Sequence, residues 1–272
     1  MKEFKNKIIC GNNVEVLTKF PEDCIDLVVT SPPYDGLRDY NGYNFDFDGL
    51  LKQLKRVIKP GGVVVWVIGD ATENGSESGT SFRQALGFID LNFKLHDTMI
   101  YEKNGATFPA TPDSNRYSQV FEYMFIFSNE TKPKTSNLII DKPNRWAGET
   151  SFGQTRMRQK DGKLIKYEKK PVPEFSARNN IWKYNTGFGY STKDKSAHLH
   201  PAIFPEKLAE DHILTWSNKD DIVLDPFCGS GTTCKMAKMN NRNFIGIDLS
   251  EKYCKLSEHR VKMANNSLKS FM

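Results

Sequence analysis

Residues 223–233 read Val-Leu-Asp-Pro-Phe-Cys-Gly-Ser-Gly-Thr-Thr. An apolar run closes on Asp225, a glycine-bearing turn follows, and 232–239 continues at helical spacing. This is the strand–turn–helix unit of a parallel sheet, whose ligands gather at the carboxyl ends of strands near a reversal of strand order. Gly229 and Gly231 let the backbone bend and approach a ligand with no Cβ in the way. The carboxylate of Asp225 is a poor cradle for pyrophosphate but suits an ammonium group. Asp248 ends the next apolar run (244–248), where a carboxylate can accept both hydroxyls of a ribose. A nicotinamide or flavin fingerprint needs a third glycine three residues after the second, and Cys234 stands there. Asp225, Phe227, Gly229, Gly231 and Asp248 together point to an adenosyl cofactor.

Outward from this unit the chain alternates strands and helices. Ile25–Thr30 and 63–68 are short β-branched runs of the kind buried in parallel sheets. Between them Leu50, Leu51, Leu54, Val57 and Ile58 recur at helical spacing, and Pro60-Gly61-Gly62 stops that helix. Residues 206–216 predict another helix, with Pro205 near its first turn, and 119–128 a further strand. The stretch 129–185 has no sustained period and carries 13 Lys or Arg against 6 Asp or Glu. The whole chain of 272 residues has a net charge of +5, so everything outside that stretch is slightly acidic. A basic block on a near-neutral body suits a polyanion, although a solvated loop would have the same composition. The expected architecture is an α/β fold: a doubly wound, mostly parallel sheet with a basic insertion. Its parts are 1–128 (the half carrying the loop described next), 129–185 (the insertion) and 186–272 (the cofactor half).

Composition narrows the class. No stretch approaches the roughly 18 uninterrupted apolar residues of a membrane span, and MKEFKNKIIC lacks the apolar core of a secretory signal, so the expected location is the cytoplasm. Five scattered cysteines (Cys10, Cys24, Cys228, Cys234, Cys254) show neither disulfide nor metal spacing. They read as ordinary thiols, and no metal is expected.

Directly after the strand 25–30 comes Ser31-Pro32-Pro33-Tyr34. Two prolines remove two backbone donors and fix φ, so the loop offers carbonyl acceptors in a stiff frame. The Ser31 hydroxyl oxygen and the Pro32 carbonyl can hold the N–H groups of an exocyclic base amine, and Tyr34 can stack on a base turned out of the helix. A Pro-Pro turn beside a buried tyrosine would look the same in isolation.

The two loops together resemble the amino-methylating DNA methyltransferases, which carry a [D/N/S]-P-P-[Y/F] catalytic loop and an F-x-G-x-G loop for S-adenosylmethionine. Here these are Ser31-Pro32-Pro33-Tyr34 and Phe227-Cys228-Gly229-Ser230-Gly231. The order, catalytic loop first and cofactor loop last, is similar to the β subgroup. Family-like blocks also occur at 59–62, 87–103 and 200–205; in the family the last of these, with its helix, helps cover the methionine end of the cofactor. The resemblance implies catalysis at Ser31, Pro32, Pro33 and Tyr34. It implies S-adenosylmethionine bound by Asp225, Phe227, Cys228, Gly229, Ser230, Gly231, Thr232 and Asp248. Ser in the first catalytic position is similar to the cytosine-N4 branch, so the expected reaction is methylation of cytosine N4 in double-stranded DNA, within a restriction–modification system. N6 of adenine is the alternative. RNA bases or protein glutamine are further rivals, as is a nucleic-acid binding module without catalysis. Candidate partners are DNA and a companion restriction endonuclease, with the chain a monomer or homodimer. Arg145, Arg156, Arg158, Arg178 and Lys183 are candidate DNA contacts. One departure stands out: the family often has Gly-Asp after the first strand, the acid contacting the cofactor adenine, where this chain has Gly11-Asn12. His200 could be a proton acceptor, but the preferred reading is an ordered turn at His-Pro. No cysteine follows a proline, so the nucleophile of C5-cytosine methylation is not expected.

Overall fold

The computed structural model describes residues 1–33, 45–105, 115–150, 156–166, 170–187, 189–203 and 205–264. In chain order the elements begin with β1 (Lys7–Cys10), α1 (Asn13–Leu17), β2 (Ile25–Thr30), α2 (Phe47–Val57) and β3 (Ile58–Ile68). There follow a small hairpin of β4 (Thr72–Glu73) and β5 (Ser76–Glu77), then α3 (Thr80–Asp90), β6 (Phe93–Lys103) and β7 (Phe121–Asn129). Next come β8 (Ile140–Pro143), β9 (Arg156–Arg158), β10 (Leu164–Lys166), β11 (Phe175–Ala177) and β12 (Ile181–Tyr184). A 3-10 turn over Lys195–Leu199 leads into α4 (Glu206–Trp216), β13 (Ile222–Asp225), α5 (Thr232–Met239), β14 (Asn243–Asp248) and α6 (Glu251–Met263).

The chain divides into two compact units, 1–137 with 180–272, and 138–179. The first holds an eight-stranded sheet in the order β1-β14-β13-β2-β3-β7-β6-β12. Only β7 runs against its neighbours; every other pairing is parallel. The fold is a Rossmann-like, doubly wound α/β sheet. From β13 the chain crosses to β14 on one side, and from β2 it crosses to β3 on the other. The strand order therefore reverses between β13 and β2, and a crevice opens outside their carboxyl ends.

Strand alternation assigns the two faces. Val64, Trp66 and Ile68 of β3, with Val28, Leu224, Ile245 and Ile247, join the core built by Leu50, Leu51 and Leu54 of α2 and Phe88 of α3. The Trp66 indole N–H donates to Gln84 Oε1 at 2.8 Å, so even its polar edge is satisfied inside. Their alternates, Leu27, Val29, Val63, Val65, Val67 and Val223, are buried too. They lie on the opposite face, where α4 packs on β2 and α5 on β13 and β14. Burial on both faces is what a β-branched run without polar alternation requires.

α2 begins where Asp46 accepts from Gly49 N at 2.9 Å and ends at Val57, because the residue before Pro60 disfavours helix. The strand expected over 63–68 starts earlier, at Ile58. Ile25 opposes Ile58 and Leu27 opposes Val63, so 59–62 bulge out against the single residue Asp26. Gly61, at φ +77°, accommodates that bulge. Within 129–185, β12 pairs with β6 as a parallel edge of the main sheet. The second unit is built of two antiparallel pairs, β8 with β11 and β9 with β10. No helix among the described residues is long and apolar enough to cross a membrane.

Candidate active site

The register of β13 against β2, Val223 with Leu27 and Leu224 with Val28, brings Asp225 level with the end of β2. The loops leaving these strands, 226–231 and 31–33, therefore start side by side at the point of reversal. Thr30, fully buried, donates its hydroxyl to Asp225 Oδ1 at 2.6 Å, and the Phe227 N–H donates to the same oxygen at 3.1 Å. Thr233, in the first turn of α5, donates to the Val29 carbonyl at 3.1 Å. Ser31 and Pro33 are half-buried and Pro32 is buried. Tyr34 lies outside the described residues.

Burial lifts the Asp225 carboxyl to about 6, against the lowering effect of the Thr30, Phe227 and Thr233 hydrogen bonds. Asp248, at the end of β14, is also held above the usual carboxylate range by burial, opposed by the N–H groups of Ser250 and Gly229. Those two donors lie 2.9 Å from Oδ1 and Oδ2 respectively. Among the described residues neither acid is paired with a cation. An unneutralised acidic pair repels a pyrophosphate and attracts a ligand that carries positive charge and hydroxyl groups. An aminoacid-bearing, ribose-bearing sulfonium fits that pair of acceptors.

The loop between the acids is shaped by glycines in the left-handed region. At Gly229 (φ +48°) a Cβ would lie 2.8 Å from His200 Nε2, and at Gly231 (φ +78°) it would collide with the Ser257 hydroxyl and come 3.1 Å from Ser257 Cα. Phe227 is half-buried, its ring edge-on to Phe45 at 5.1 Å. The other side chains of the motif turn inward. Cys228 packs against Ser257 Oγ at 3.6 Å. Ser230 and Thr232 are buried and face Arg260, whose Nη1 reaches Ser230 Oγ at 3.1 Å and Thr232 Oγ1 at 3.4 Å. These three support the loop from beneath, while Phe227 packs against the core beside Trp66 and Asp248 holds the Gly229 N–H.

Arg260 on α6 is the residue that sequence reading passed over. Its side chain is wholly buried, and it donates to the Ser230 carbonyl (2.5 Å), Asp194 (2.7 Å) and Glu206 (2.8 Å). Glu206 also accepts from Lys235 and from the Thr192 hydroxyl, each at 2.7 Å. The loop, the start of α4 and the segment before the 3-10 turn are thus tied to one guanidinium. Burial would raise Asp194, but the Ser196 hydroxyl and Arg260 hold its carboxyl down at about 2. Nothing local signals this role, since the partners lie 28 to 66 residues away along the chain.

Asn12 caps α1, its Oδ1 accepting from Val14 N (2.9 Å) and Glu15 N (3.3 Å), which leaves only its amino group for a ligand. His200 is buried over Gly229 with its Nδ1 against the backbone of Ala202, the ordered turn expected of it. All five cysteines are free thiols, and burial pushes those of Cys228 and Cys234 well above the ordinary thiol range.

In the second unit Arg156 and Arg158 are exposed on β9, and Arg145 lies over the Trp146 ring at 5.0 Å. Arg178 is instead forked onto Asp141, through Nε at 2.8 and 2.9 Å. In the main sheet Lys183 pairs with Glu102 at 2.7 Å.

A Rossmann-like sheet whose proline loop and glycine loop leave adjacent strand ends at its switch point is consistent with a nucleic-acid amino-methyltransferase class. Residues 25–259 match the N6/N4 DNA methylase family, and the chain belongs to it: this is a DNA methyltransferase. It is 57% identical over 242 residues to the orphan methyltransferase M.BamHII of Bacillus amyloliquefaciens, spanning 88% of this chain and 90% of that one. Among solved structures it resembles the PvuII DNA methyltransferase (cytosine-N4-specific), with a TM-score of 0.69 and 22% identity over 96% of this chain and 87% of that one. It also resembles a DNA modification methylase of Thermus thermophilus complexed with S-adenosyl-L-methionine, with a TM-score of 0.59 and 26% identity over 94% of each chain.

Proposed function

We propose that this DNA methyltransferase transfers the methyl group of S-adenosylmethionine to N4 of cytosine in double-stranded DNA. The observation that carries the reading is that the loops 31–33 and 226–231 leave adjacent strand ends joined by the Thr30–Asp225 hydrogen bond. When bound, S-adenosylmethionine supplies an electrophilic methyl on a sulfonium. The backbone of 227–231 would cradle it, Asp248 would accept its ribose hydroxyls, and Asp225 would offer negative charge to its ammonium group. The Ser31 hydroxyl oxygen and the Pro32 carbonyl accept the two N–H groups of the base amine, favouring a pyramidal and more nucleophilic nitrogen. Catalysis rests on positioning and on acceptors aimed at the amine, with no covalent enzyme intermediate. The buried thiols of Cys228 and Cys234 support that reading, because thiols held in the neutral form are poor nucleophiles. Ser31 in the first catalytic position favours cytosine N4 over the alternative, adenine N6.

The unit 138–179, with ten Lys or Arg against five acids, is read as the target-recognition part of the insertion. Arg145, Arg156 and Arg158 are its leading DNA contacts. Arg178 and Lys183 are weaker candidates because their charges are already paired. The setting is a restriction–modification system in the cytoplasm. A companion endonuclease remains a candidate partner, although the name of M.BamHII as an orphan methyltransferase favours a chain that acts without one.

Tyr34→Ala tests the base-holding role. Loss of stacking worth roughly 1–3 kcal/mol should collapse turnover while S-adenosylmethionine still binds in calorimetry. Turnover within about twofold of the parent, well below that stacking scale, would refute it.

A further inference from the structure

Oδ1 of Asp225 receives two protons that belong to different loops. One comes from the Thr30 hydroxyl, at the end of the strand that feeds the catalytic loop, and the other from the Phe227 N–H in the cofactor loop. Thr30 is fully buried and Asp225 is 2% exposed, so water cannot replace either bond. β13 and β2 are paired at only two positions, both before these loops begin, so the ladder itself does not fix the spacing beyond Val28 and Leu224. Thr233 also ties the start of α5 to the Val29 carbonyl, and the Thr30–Asp225 bond continues the register from β2 into the loop 226–231.

We propose that Thr30 is a positioning residue for methyl transfer, setting the separation of the catalytic and cofactor loops through Asp225 Oδ1. The proposal rests on the reading of the two loops given above. Transfer between an amine and a methyl group demands that both be held to within about half an ångström, and a buried hydrogen bond at the root of the two loops supplies that constraint. Its strength depends on the ionised carboxylate. The groups facing Asp225 are Asp248 from β14, Cys228 from the cofactor loop and Cys234 from α5. The two thiols stay neutral because burial raises them, and no bond joins Asp248 to Thr30 among the described residues. The Thr233 hydroxyl and the Phe227 N–H also hold the carboxyl down and are present in every variant, so the change in the Asp225 titration between Thr30→Val and Thr30→Ser reads this tie.

The test compares the parent, Thr30→Val and Thr30→Ser. Three quantities are measured: S-adenosylmethionine affinity by calorimetry, single-turnover methyl transfer from about pH 5 to about pH 9, and the Asp225 titration by carboxyl-carbon NMR. Removing a hydrogen bond that favours the charged form raises the carboxyl further, so the acid limb of transfer in Thr30→Val should move to higher pH. Its rate at neutral pH should fall by about tenfold or more, the scale of a lost bond to a charged group, with affinity kept within about threefold. Thr30→Ser should recover both the rate and the limb. The proposal is overturned if Thr30→Val transfers methyl like the parent, or if its loss is independent of pH and not recovered by serine. Should the valine variant not fold, Thr30→Ala carries the same comparison. A parent protein that binds S-adenosylmethionine but moves no methyl group to DNA would sink the reaction reading instead. The NMR titration would then decide this tie alone, an unmoved Asp225 in the valine variant overturning it.

Discussion

Replacing Arg260 by methionine removes one charge and leaves several polar atoms behind. The guanidinium is wholly buried and is bonded to Asp194, Glu206 and the Ser230 carbonyl, so its loss takes a donor from two carboxylates and one carbonyl. Breaking a buried ion pair by deleting one partner costs about 3–5 kcal/mol. Two features place this case near the lower end. Glu206 keeps Lys235 and Thr192, and Asp194 keeps the Ser196 hydroxyl. The side chains of Asp194 and Glu206 are also 27% and 20% exposed, so water can partly resolvate them. The expected loss is about 3 kcal/mol, read from urea unfolding at neutral pH. The deficit has a pH signature. Asp194 is held at about 2, below its ordinary value, so its pairing stabilises the fold above the usual carboxylate range and fades as pH falls toward 2. The gap between parent and Arg260→Met should accordingly narrow below about pH 4. The variant should also bind S-adenosylmethionine more weakly, because Ser230 loses the donor that fixes the cofactor loop. A stability loss under about 1 kcal/mol, the level of an exposed pair, would refute the reasoning.

Asp248→Ala should weaken S-adenosylmethionine binding by more than about 1.5 kcal/mol, since the carboxylate holds Gly229 N and is proposed to hold the ribose as well; unchanged affinity in calorimetry removes the ribose assignment. DNA affinity should fall steeply with salt, with a log–log slope reflecting several phosphate contacts. Reversing charge at Arg156 and Arg158 should flatten that slope, and a slope near zero in the parent would move DNA docking away from 138–179.

Much of the fold was legible because buried parallel strands have a local signature. The runs 25–30 and 63–68 are β-branched and bounded by turn residues, and α2 carries its apolar residues at helical spacing. β12 carried no such signature. It is four residues long, alternates exposed with buried positions, and is defined by pairing with β6 some eighty residues earlier. The edge strand β1 was equally faint as a four-residue run.

The candidate site divides in the same way. Glycine spacing and the strand-end acids identified the loop 226–231, because φ above zero and close approach are written in residue type. The direction of its polar side chains was not. Ser230 and Thr232 read as ligand contacts, yet they point at a buried guanidinium. Arg260 itself lies on α6 among lysines and glutamates, where an arginine reads as part of a solvated face. Only the packing of α6 against the loop turns it inward.

The central claim is amine methylation without a covalent intermediate, and the methylated nucleoside tests it most directly. DNA from cells expressing the protein, digested to nucleosides and resolved by mass spectrometry against authentic standards, should contain N4-methylcytosine. N6-methyladenine would overturn the argument from Ser31 and keep the chemistry, whereas C5-methylcytosine would contradict the account at its root.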